Sequence, residues 1–190
     1  MNGSIWEGEF VTLSAGEVVM RDQMGARIII KPEQLSAADQ LYLEKVIPPR
    51  LSIDVSKTTD NTRSRANSES VRCLVSMKQT DNRPYTGKLT AVLVVMNEDI
   101  KTGSTSVENK KEYSFTLPEK RGEVVEFKGD RADFYRKSGN SSRSGKAYSG
   151  YILVIWDRFG NPIAIKSNRD SFAAEATKLA RPERTKRING

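Results

Sequence analysis

The chain has a single cysteine, Cys73 in Val-Arg-Cys-Leu-Val-Ser-Met, and no histidine. A thiol nucleophile needs a base to form its thiolate, and histidine is the usual base and the usual metal ligand near neutral pH. Cys73 therefore reads as a buried strand residue, and without a second cysteine it forms no internal disulfide. The serines sit in polar runs that lack the spacing of a nucleophile elbow. Asp130 and Asp133 could share a loop with Glu126 and offer oxygens to a hard cation, yet their spacing is not that of a calcium loop. Asp157 stands in Asp-Arg-Phe-Gly-Asn, a hairpin-turn composition before it is a catalytic one. "RKSGNSSRSGKAYSG" has the composition of a phosphate loop but neither its GxxxxGK spacing nor a following helix. The expectation is a protein that is not an enzyme, with no catalytic residue, metal or cofactor. A hydrolase would need Asp130, Asp133 and Asp157 around one deep pocket.

Charge suggests a different kind of partner. Thirty-one Lys and Arg against twenty-four Asp and Glu leave a net charge of +7, mostly spread as a solvated surface. Two polar, basic stretches, "TGSTSVENKK" and "RKSGNSSRSGKAYSG", read as long loops at the ends or edges of a fold, where binding loops tend to sit. A polyanion binder would use Lys101, Lys110, Lys111, Arg136, Lys137, Arg143 and Lys146. Nucleic acid is the less favoured partner; a protein or peptide is the expected one. No run approaches the roughly twenty apolar residues that a membrane-crossing helix needs.

The elements that must position these residues begin with a compact N-terminal pattern. "WEGEFVTLSAGEVVMRDQMGARIII" is strand, turn, strand, turn, strand, with Gly16 and Gly25 in the turns. Pro32 ends the third strand near Lys31. Ser36 then reads as a helix N-cap, with Asp39 in the first turn where it meets free amide hydrogens and the positive end of the helix. Leu35, Tyr42 or Leu43, and Val46 fall on one side of a helix of about three turns that Pro48-Pro49 closes. Phe10, Val18, Met20, Ile28, Ile30, Leu35 and Tyr42 are the expected small core. A unit of this size buries little and should lean on a neighbour.

From Leu51 onward strands dominate. Leu51, Ile53 and Val55 alternate, as do Val71, Cys73, Val75 and Met77, then Tyr113, Phe115 and Leu117, and Val125 and Phe127. Leu89–Met96 and the run "YSGYILVIW" are apolar almost throughout, a turn at Phe159-Gly160-Asn161 follows, and Ile163 and Ile165 then face one way. The polar run "TTDNTRSRANSES", 58–70, reads as a long loop. Seven or eight strands without a crossover helix predict an antiparallel, immunoglobulin-like β-sandwich. The expected division is a small β unit with a closing helix over 1–48, a sandwich over 50–176 and a basic tail over 177–190, the class being mainly β.

The segment "EGEFVTLSAGEVVMRDQMGARIIIKPEQLSAADQLYLEK" resembles the SLA1 homology domain 1 (SHD1) family. The resemblance covers residues 6–45 and rests on the Glu-Phe strand, the Gly-x-Val turn, the Gly-x-Arg-Ile hairpin and the Leu-Ser-x-x-Asp-x-x-Tyr entry to the helix. It implies an SH3-like small barrel. It also implies recognition of extended peptides, as in a yeast endocytic adaptor that binds Asn-Pro-Phe-x-Asp. Arg27 matches a hairpin lysine of the family and is the implied peptide contact, with Glu9 and Arg21 on neighbouring strands. Bacterial secreted proteins also carry such domains joined to other modules, an architecture close to this one. The implied function is a non-catalytic binding or structural module of a secreted or envelope-associated bacterial protein. The expected location is periplasmic, cell-surface or extracellular, on the premise that a signal peptide was removed ahead of "MNGSIWEG"; the cytoplasm stays open, as does the oligomeric state.

Overall fold

The computed structural model describes residues 7–61, 68–81, 83, 85–120, 122–138 and 143–183, with backbone alone at 60, 61, 138 and 143. The chain is mainly β, with a three-stranded and an eight-stranded antiparallel sheet. The first sheet is a meander of β1 (Gly8–Ser14), β2 (Glu17–Asp22) and β3 (Arg27–Ile30). Gly16 and Gly25 sit at φ of 86° and 85°, the left-handed conformation their turns require. A 3-10 turn at Pro32–Gln34 leads into α1 (Ala37–Val46), whose Ser36 Oγ accepts the Asp39 amide at 3.1 Å, as the sequence predicts for this cap.

The small core is less complete than expected. On the face toward the helix only Val18 and Leu43 are buried; Phe10, Met20, Ile28, Ile30 and Leu35 are half-buried, and Tyr42 is 54% exposed. Val46 also points outward, while Glu44 is buried. The reason is geometric. Leu41, Tyr42, Leu43 and Val46 are spread around α1, so one short helix cannot cover the sheet with all of them.

The second sheet is built on β5 (Ser68–Gln79), β6 (Leu89–Asp99) and β10 (Arg143–Trp156). β4 (Leu51–Asn61) and β8 (Val124–Lys128) pair with β5, while β7 (Thr105–Phe115) pairs with β6 and β11 (Pro162–Ser167) with β10. β9 (Ala132–Ser138) pairs with β5 through its first half and with β10 through its second, joining the two layers. Alternate residues Val71, Cys73, Val75 and Met77 of β5 face Leu89, Ala91, Leu93 and Val95 of β6 and Leu153 and Ile155 of β10 in one core, the arrangement of a β-sandwich.

β6 and β10 are apolar on both faces because both faces are covered. α2 (Asp170–Leu179) packs Phe172, Ala176 and the following Ala180 against Val92, Val94, Met96, Ile152, Val154 and Trp156. Trp156 Nε1 donates to Ala180 O at 2.9 Å, fixing the end of the helix. A Cβ on Gly150 would run into Asn168 Oδ1 and the Phe172 ring, so glycine there lets α2 approach. The helix thus reaches past residue 176, where sequence reading starts the tail; residues 184–190 lie outside the described residues.

Three expected loops are largely strand. In the 58–70 run, 58–61 belong to β4 and 68–70 to β5, and 62–67 lie outside the described residues. Most of "TGSTSVENKK" is β7, and "RKSGNSSRSGKAYSG" supplies the end of β9 and much of β10, with 139–142 outside the described residues. A ladder is made by backbone groups, so a hairpin arm that extends past the core needs no apolar alternation. Ile165 is likewise 45% exposed, although Ile163 two residues earlier packs on the core.

Candidate functional site

The open face of the small sheet makes a cleft of about 650 Å³. Its floor is Phe10, Val18, Met20 and Ile30, placed by alternation on one face of β1, β2 and β3. Leu35, Tyr42 and Leu43 form the opposite wall, and Glu7, Gln34, Ser36 and Asp39 rim it. Asp39 Oδ2 accepts the Ser36 hydroxyl at 2.6 Å, and Glu7 Oε2 accepts Gln23 Nε2 at 3.1 Å. Both carboxylates otherwise face solvent, and among the described residues neither has a cation as ion-pair partner.

The helix wall is held from the sandwich side. Arg83, a buried residue at 4% exposure, donates from its guanidinium to Leu43 O at 3.4 Å and to Ile47 O, carbonyls at the end of α1. A cation there meets the negative end of the helix. Burial pushes the Arg83 pKa down, opposed by Asp81 and Tyr85. Beside it the buried Glu44 accepts the Thr86 hydroxyl at 2.8 Å and pairs with Arg158 of the β10–β11 turn. Arg83, Glu44 and Thr86 also line a smaller cleft of about 250 Å³ under Pro32 and Gln40. The partners stand 36 to 114 residues apart in sequence, so no local spacing announces them.

Glu9, Arg21 and Arg27 are brought together. Glu9 stands opposite Arg21 and Arg21 opposite Arg27, one exposed row across the three strands. By alternation with Phe10, Met20 and Ile28 this row lies on the face away from the cleft. Sequence reading treats the cleft residues as core and Asp39 as the acidic first-turn residue behind the Ser36 cap; the poor amphipathicity of Leu41, Tyr42, Leu43 and Val46 is the available signal that the core stays open.

The seven basic residues divide. Lys101, Arg136, Lys137 and Lys146 share one end of the sandwich, where Ile100 N donates to Gly145 O at 3.0 Å and Arg136 faces Gly145 across the ladder. Arg143 opens β10 at that end, its side chain outside the described residues. Lys110 and Lys111 lie along β7 instead. Acids are interleaved: Lys146 meets Glu108 at 3.0 Å, Lys110 meets Glu112 at 3.8 Å, and Lys111 pairs with Asp130.

The acids considered for chemistry are separately engaged. Asp133 accepts from Ser70 and from Arg131 Nε at 2.8 Å, and the Ser70 bond, then Arg131, holds its carboxyl below the usual range. Asp157 is buried inside its own turn, accepting the amides of Phe159 at 2.9 Å and Asn161 at 2.7 Å. Neither Asp130, Asp133 nor Asp157 lines the two clefts. Among the described residues no three His, Cys, Asp or Glu side chains gather to hold a metal, and no helix is long and apolar enough to cross a membrane. Cys73 is fully buried in the core, and burial pushes its thiol pKa up.

No family model matches the chain, and no curated protein does. A Northeast Structural Genomics Consortium target is similar over 62% of this chain and 84% of its own, at 9% identity and a TM-score of 0.31. A β-glucosidase from Kluyveromyces marxianus is similar over 66% of this chain, at 10% identity and a TM-score of 0.30. A β-glucosidase involved in saponin metabolism, from intestinal bacteria, is similar over 63%, at 10% identity and a TM-score of 0.28. The chain spans 16% of the length of each of these two glucosidases, and likenesses of this strength carry no argument about its activity.

Proposed function

We propose that the chain is a non-catalytic binding protein whose N-terminal unit takes an extended peptide segment of a partner. The observation that carries this reading is the cleft of about 650 Å³, walled by half-buried apolar side chains and Tyr42 and rimmed by polar ones. Such a mixture suits a ligand with side chains to bury and a backbone to keep hydrogen-bonded. The secreted or envelope setting implied by the SHD1 resemblance accompanies the proposal. A second reading places the contact on the far face, favoured by Arg21 and Arg27 standing side by side with one carboxylate, an arrangement that would accept an acidic side chain.

The test is a displayed library of random nonapeptides panned on the full chain, with enriched peptides titrated by fluorescence anisotropy. Cleft binding predicts a loss of about tenfold or more in Tyr42→Arg and no change in Arg27→Glu. The opposite pattern moves the site to the far face, and no enrichment defeats both. The polyanion alternative, using the end that carries Lys101, Arg136, Lys137 and Lys146, predicts heparin retention beyond about 0.5 M salt and a steep salt dependence, which a peptide cleft does not.

A further inference from the structure

We infer that the segment this cleft takes is apolar and cationic: one or two buried side chains flanked by a lysine or arginine. The inference rests on the peptide-binding reading above and adds the chemistry of the peptide. The charged lining residues are Glu7 and Asp39, and among the described residues no Lys or Arg lines the cleft. Each carboxylate accepts one neutral hydrogen bond, and among the described residues no ion pair consumes either, although the chain as a whole carries net positive charge. The cleft is thus a locally acidic site on a basic protein, which attracts a cationic residue and repels an acidic one.

The apolar walls support the same guest. Phe10 and Tyr42 are both in the lining, and a guanidinium or ammonium stem can lie on an aromatic ring while its charged end reaches a carboxylate of the same cleft. The alternation of an extended segment fits the geometry: one set of side chains meets the floor of Val18, Met20 and Ile30, and the other points up toward the rim. The far face is mixed in charge, with Glu9 and Glu17 on the same side as Arg21 and Arg27.

The experiment is the nonapeptide panning on the full chain, read this time for the charge of the enriched sequences and repeated on Glu7→Lys and Asp39→Asn. Glu7 lies outside the helix, so the first variant leaves the Ser36 cap alone, and the second keeps the size of the side chain. Enriched sequences should combine an apolar or aromatic residue with Lys or Arg. A fluorescein-labelled representative should bind each variant about three- to tenfold more weakly and bind less at higher salt. Enrichment of acidic sequences, or of apolar ones whose affinity ignores both substitutions, overturns the inference while peptide binding stands. Absence of enrichment overturns the peptide reading itself.

Discussion

Replacing Arg83 by methionine should loosen α1 and leave the sandwich intact. Methionine roughly follows the aliphatic stem but donates no hydrogen bond. Two effects oppose each other. Removing the guanidinium relieves its desolvation, which is the main cause of its lowered pKa. Against that, Ile47 O loses its donor, at about 1–3 kcal/mol for an orphaned acceptor, and partial burial puts it in the lower half of that range. Leu43 O suffers less, because it keeps the Ile47 amide at 2.9 Å and the Arg83 bond to it is long. The favourable meeting of the cation with the helix end, about 0.3–1 kcal/mol, is lost too. After the desolvation relief is subtracted the net is about 1–2 kcal/mol, or roughly a five- to thirtyfold rise in the population with α1 undocked. Hydrogen exchange read by mass spectrometry over 37–47, with β10 peptides as the internal standard, measures it directly. Arg83→Lys, which keeps charge but not the two-point geometry, should fall between. Unchanged protection of α1 in Arg83→Met would refute the claim that this residue holds the wall of the cleft.

Phe172→Ala should destabilise the protein by about 3–4 kcal/mol through lost packing on β6 and β10, and a red shift in tryptophan fluorescence should show Trp156 losing its cover, whereas an unchanged spectrum and melting point would deny α2 that role. Asp133 has a folded pKa below the ordinary aspartate value, so its contribution is present above about pH 4 and is lost as pH falls through the lower folded value. Asp133→Asn should therefore flatten the acid limb of a melting-temperature series from pH 5 to pH 2, and parallel curves for the two proteins would contradict the assignment. Arg27→Glu, an exposed strand residue, should change stability by less than about 0.5 kcal/mol by thermal melt; a larger loss would mean the row on the far face is structural.

What the sequence made legible follows from which interactions are local. The Ser36 cap, the turns at Gly16 and Gly25 and the Asp157 turn depend on side chains within four residues of the backbone they bond, so composition reveals them. The alternation of Val71, Cys73, Val75 and Met77 was readable because one face is fully buried. The polar arms of β4 and β7 read as loops because their residues are largely exposed and only the ladder marks them as strands. The place of α2 is not legible: the residues it covers on β6 and β10 look the same whether a helix or a second sheet lies over them.

The candidate site shows the same limit in a sharper form. Half-buried Phe10, Met20, Ile30 and Leu35 carry the pattern of a core, and no sequence rule separates a core that closes from one that stays open. The difference lies in Glu44. On a helix that packed only against its own sheet, this position would not bury a carboxylate, since doing so costs several kcal/mol without a paired cation. Here Arg158 and Thr86 reach it from the sandwich, and Arg83 takes the helix end beside it. α1 is therefore oriented by the second unit, with Leu43 turned to the sheet, Tyr42 half in the cleft wall and Leu41 and Val46 left outward. A helix held in this way cannot slide down to close over Phe10 and Met20 without breaking the Glu44 and Arg83 contacts. The cleft thus persists because its wall is anchored elsewhere, and under the proposed peptide binding such a preorganised surface would spend less of its affinity on ordering itself.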